Sequence, residues 1–167
     1  NTEAKFDSSI FIGKVNFNEA QFKNKVDFTF TNFKDVSFTN TNFKNADFSG
    51  SVFERVNFNQ SKFGKAKFYQ SLFHQANFSN ANFKEDADFK FVRFEQGEKI
   101  LFDVDDLSKV YFLNTDISKV RFGQNTHWGS NDGFKIIDEE NLEEMISYAF
   151  KWKNIPSNYQ DNFKLRK

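Results

Sequence analysis

VDFTF TNFKD VSFTN TNFKN ADFSG SVFER VNFNQ SKFGK AKFYQ SLFHQ ANFSN ANFKE, residues 26–85, is the stretch that decides the fold. A Phe falls on every fifth residue from Phe28 to Phe83, twelve in succession. Two residues before each stands a small side chain: Val26, Thr31, Val36, Thr41, Ala46, Ser51, Val56, Ser61, Ala66, Ser71, Ala76 and Ala81. Five is neither the 3.6-residue period of a helix nor the two-residue period of a strand. A fixed period of this kind marks a repeat architecture.

A chain that turns a corner after each five-residue unit closes a square coil in four units. The next coil then stacks through backbone hydrogen bonds about 4.8 Å further on. The Phe and the small residue two before it point inward, and the other three face water. Those outward positions are Asn, Asp, Lys, Ser, Thr and Gln, which suit turns and hydration. The units VDFTF, VSFTN, ADFSG, VNFNQ, AKFYQ and ANFSN resemble the pentapeptide-repeat family, with Phe in place of the usual Leu. The resemblance runs over roughly residues 4–124. It implies an all-β solenoid, a right-handed four-sided β-helix.

Working outward, units are centred on Phe6, Phe11, Phe17 and Phe22 before the regular block. The six-residue steps from Phe11 to Phe17 and from Phe22 to Phe28 predict bulges at corners. After Phe83 the regularity loosens. The eight-residue step from Phe94 to Phe102 predicts a short loop at Glu95–Lys99, and units resume at Phe102, Leu107, Phe112, Ile117 and Phe122. That makes 23 units, a rod of about 28 Å at 4.8 Å per coil. Of the 26 Phe, 21 sit at unit centres, and at roughly 1.5–3 kcal/mol per buried ring they make a large core. The inward Ser and Thr are expected to bond to backbone groups at the corners. Asp105 falls on an inward small position, where an unpaired carboxylate is costly; either it caps backbone N–H groups, the favoured reading, or the register shifts there.

The repeat domain is expected over residues 1–125 and a C-terminal capping segment over 126–167. In that segment Trp128 and Phe134–Ile137 would cover the open end of the last coil. Residues 138–153 read as a helix, with acids in the first turns, lysines in the last, and Leu142, Met145, Ile146, Ala149 and Phe150 on one face.

Chemistry is sparse. There is no Cys, so no disulfide and no thiolate. His74 reads as a surface residue and His127 as packing. No nucleophile has a base at readable spacing, and no Gly-rich phosphate loop exists. No catalytic residue, cofactor or metal is expected. The formal net charge is zero, which argues against direct nucleic-acid binding. No apolar run is long enough to span a membrane, no secretory signal is visible, and a cytoplasmic location is the expectation.

Charge is nonetheless polarised along the rod. Residues 14–84 carry ten Lys/Arg against five Asp/Glu; residues 85–106 carry eight acids against three bases. The acids Glu85, Asp86, Asp88, Glu95, Glu98, Asp103 and Asp106 form the candidate protein-contact patch, with Asp105 beside them. Ile10, Val52 and Leu72 fall in one outward column and mark a second, smaller contact surface. The expected function is a non-enzymatic structural or protein–protein interaction scaffold. Its partner would be a protein, and a homodimer could form through the solenoid end or the C-terminal helix. The family resemblance implies an alternative, a DNA mimic that binds DNA gyrase or a related topoisomerase and protects it from inhibitors. Such mimics are acidic along the whole rod, whereas the main block here is basic. A third reading is a regulatory module of a larger protein, suggested by Asn rather than Met at position 1 and by the helical tail.

Overall fold

In the computed structural model, which describes residues 3–128, four inward columns run the length of the rod, Phe at every level except where Leu107 and Ile117 stand and, at the end, Trp128. Phe28, Phe33, Phe38 and Phe43 stack directly on Phe48, Phe53, Phe58 and Phe63, with centroids 5.0–5.1 Å apart and rings within 7° of parallel. Neighbours within a coil instead meet edge to face, as Phe28 and Phe38 do at 5.6 Å and 72°. Aromatic rings favour both arrangements, and the coil rise supplies the stacking distance. Every Phe centre from Phe28 to Phe78 has no solvent exposure.

The backbone is parallel β throughout. Asn32–Ser37 pairs with Ile10–Asn16 before it and with Val52–Phe53 and Val56–Asn57 after it. Gln21–Asp27, Asn42–Asp47 and Lys62–Lys67 form the corresponding ladder on the other side. Partners lie twenty residues apart in the regular block, which makes about six turns in all. Among the described residues there is no α-helix; a single 3-10 turn, Gly97–Lys99, forms the expected loop. The two six-residue steps are bulges, with register shifts between Phe11 and Lys14 and between Phe22 and Lys25.

Two opposite corners of each coil are tight. The residue two after the Phe takes a left-handed conformation there: Ser8, Glu19, Phe30, Asn40, Gly50, Gln60, Gln70, Asn80, Phe91 and Asn114. The residue before the Phe closes the turn from its side chain. Asp27, Asp47, Asn57, Asn77 and Asp88 each accept the N–H two residues on. This Asx geometry gives the acid or amide of those five units its purpose.

The inward hydroxyls do bond to backbone. Ser51 and Ser61 donate to the carbonyls of Phe28 and Phe38, each at 2.6 Å, and Thr31 and Thr41 donate to Phe6 and Phe17 at 2.7 Å. Asp105 corrects the sequence reading. It is exposed, and Val104 is the buried residue. Position 104 would be the left-handed residue of a tight corner, and a β-branched side chain resists positive φ. The chain therefore turns Val104 inward and leaves the carboxylate in water.

The repeat geometry also continues past Phe122. Thr126 is buried and donates to the Val104 carbonyl at 2.8 Å, as an inward small residue does. Trp128 takes the next central position, buried and 4.7 Å from the Phe122 ring, while Asp106 and His127 form a parallel bridge beside it. The expected helix at 138–153 and the rest of the capping segment lie outside the described residues.

Candidate interaction surface

The inward face of each regular coil is filled by Phe rings, with no solvent exposure from Phe28 to Phe78. The surface has shallow grooves, among them one of about 360 Å³ beside Gly64 edged by Lys23, Lys44, Lys84 and Glu85. No group of three or more His, Asp or Glu is placed to hold a metal among the described residues. His74 lies on the outer face behind Glu54 in the coil ladder, its N–H donating to the Phe53 carbonyl.

The seven candidate carboxylates do not gather on one wall. Glu85, Asp86 and Asp88 lie between Phe83 and Phe89. Glu95 and Glu98 follow Phe94, and Asp103 and Asp106 follow Phe102. Those Phe centres belong to all four columns, so the acids encircle one coil. Several serve local structure. Asp88 and Asp106 accept N–H groups of Lys90 and Ser108, Glu95 pairs with Arg93, and Asp86 accepts the Tyr111 hydroxyl.

A different surface stands out. The exposed large apolar residues of the described chain are Ile10, Ile12, Phe30, Tyr69 and Phe91. Three of these five, Phe30, Tyr69 and Phe91, line one edge. Phe30, Gly50, Gln70 and Phe91 occupy the left-handed position of successive coils in one column, linked by backbone hydrogen bonds to Ser49, Tyr69, Lys90 and Leu113. Tyr69 stands one residue before Gln70, its ring edge-on to Phe91 at 5.6 Å. Around the corner runs the column Ile10, Asn32, Val52, Leu72, Arg93. Val52 and Leu72 there are half-buried and Ile10 is 72% exposed.

The two edge phenylalanines are costly to hold. Phe30 has φ of 54° and Phe91 of 57°, a region that bulky side chains rarely adopt. Phe30 is 71% exposed, so burial returns little of that cost. Its ring lies over Gly50; a Cβ there would come within 2.6 Å of it. Phe30 and Phe91 went unread in the sequence because the five-residue register places them among polar turn residues. The signal was present: they are the Phe of the repeat region that fall off the beat.

A stack of parallel coils with a continuous aromatic core, and with its distinctive chemistry on an outer edge rather than in a cleft, defines a β-solenoid repeat protein. Residues 17–62 and 38–81 match the family model for pentapeptide repeats (9 copies), so this block of the solenoid is built of pentapeptide repeats. No curated protein matches the sequence. No helix among the described residues is long and apolar enough to cross a membrane.

Proposed function

We propose that this protein is a non-enzymatic scaffold that binds another protein through the apolar edge of Phe30, Tyr69 and Phe91, extended by Ile10, Val52 and Leu72. The observation that carries this reading is the pair of exposed Phe side chains at positive φ on one column. Backbone strain at a largely solvent-facing aromatic has little packing return within the chain, and strained positions concentrate at functional surfaces. Aromatic side chains are also the usual anchors of protein interfaces. The matching surface is an apolar ridge about three coils, roughly 15 Å, in length.

The acidic coil supports the reading less well, because its carboxylates are spread around the rod and several are engaged locally. The same distribution weakens the DNA-mimic alternative, which calls for a continuous acidic wall. The test is affinity capture with the wild type and with the Phe30→Ser/Phe91→Ser double variant. A partner whose direct binding to the purified chain falls at least about tenfold in the variant supports the edge, since a lost anchor is worth 1.4 kcal/mol or more. Equal capture by both forms overturns it.

A further inference from the structure

The apolar edge has a symmetry of its own. Its two strained phenylalanines, Phe30 and Phe91, lie three coils apart with Gly50 and Gln70 between them. In the adjacent column the order is Asn32, Val52, Leu72, Arg93. A two-fold axis across the edge, between the coils of Gly50 and Gln70, reverses the rod direction and keeps each column facing itself. It sets Phe30 opposite Phe91 of a second copy and Val52 opposite Leu72.

The flanking charges match in part under the same operation. Lys34 comes opposite Glu95, because Lys34, Glu54, His74 and Glu95 occupy one column in successive coils. On the other flank Asp47 comes opposite Lys67. Asp27 and Asp88 also face one another, a like-charge pair; like Asp47, which accepts the Ser49 N–H and lies 3.8 Å from Lys67 of its own chain, each is turned to its own corner, accepting the N–H groups of Thr29 and Lys90. Isologous contacts demand this self-complementarity, in which residue i meets j and j meets i.

We infer that the edge pairs with a second copy of this chain, side by side and antiparallel. The inference rests on the reading of the edge as a protein-docking surface. The patch is small beside the roughly 800 Å² per partner of a standard interface. The dimer is therefore reversible and concentration-dependent.

Sedimentation of the full chain from low micromolar to near-millimolar concentration tests the pairing, with the Phe30→Lys/Phe91→Lys variant as control. Because the chain has no Cys, introduced thiols report the register directly. Asn32→Cys and Arg93→Cys proteins are oxidised singly and as a mixture. The expected result is a wild-type dimer lost in the double-Lys variant, with disulfide formed only in the mixture. Two copies of position 32 lie about 15 Å apart in the antiparallel pair, beyond disulfide reach. A monomer at every concentration overturns the pairing, as does ready cross-linking of Asn32→Cys with itself. Capture separates the two claims. A monomer whose capture of another protein is lost in Phe30→Ser/Phe91→Ser refutes self-pairing and keeps the docking edge, whereas a monomer whose capture is unchanged refutes both.

Discussion

Phe30 shows at the residue scale how a repeat protein carries function without disturbing its core. The corner asks for a left-handed residue, and apart from Phe91 the other corners answer with Asn, Gln, Gly, Ser or Glu. Asn tolerates positive φ because its short side chain bonds locally, whereas a bulky side chain at such an angle costs on the order of 1–2 kcal/mol. Phe30→Asn should therefore stabilise the monomer by about 0.5–1 kcal/mol while weakening any contact made through the edge. Chemical denaturation of the two forms below the concentration of self-association measures it. A loss of stability on Phe30→Asn would show that the ring earns its place by packing on Gly50, and the functional argument from strain would fall.

At the scale of the element, the tight corner is the unit that the sequence spells out. Phe at the centre, a small residue two before it and Asx immediately before it were all legible, because each follows from inward–outward alternation and turn chemistry. Val104 and Asp105 were misread because strict counting fixes a register, while the corner obeys φ, and a β-branched residue at the left-handed position breaks the count. The corner at Asp27 also has a titration signature. Burial works to raise this carboxyl, but the N–H and hydroxyl of Thr29, with Lys25 nearby, outweigh it and hold it below its ordinary value. A carboxylate depressed on folding contributes stability above the unfolded value, about 3.9, and loses that contribution as pH falls through the lower folded value. Carboxyl-resolved NMR should find Asp27 titrating below the ordinary range, and Thr29→Val should move it part of the way back. An unchanged midpoint in Thr29→Val would remove the hydroxyl from the account.

For the whole molecule, the consequence of stacking is a gradient of stability along the axis. Each coil touches only its neighbours, so among the described residues an interior coil has two interfaces and the coil of Phe6 one. The rings show this directly. Phe48 is fully buried between Phe28 and Phe68, whereas Phe6 stacks on Phe28 alone and remains partly exposed. Removing Phe48 leaves a cavity walled by aromatic rings on both sides, and Phe48→Ala should cost about 3–5 kcal/mol. Removing Phe6 opens a site already facing water, so Phe6→Ala should cost about half as much or less. Hydrogen exchange should follow the same order, with amides of residues 6–22 opening before those of residues 43–68, because an end coil can open without breaking the stack. Equal costs at the two positions, or uniform protection along the rod, would mean that the solenoid unfolds as one cooperative block and that its ends are held by something other than the neighbouring coil. The edge of Phe30, Tyr69 and Phe91 spans the second to the fifth coil, the most firmly held part of this ladder, so an anchor presented there meets its partner from a rigid backbone.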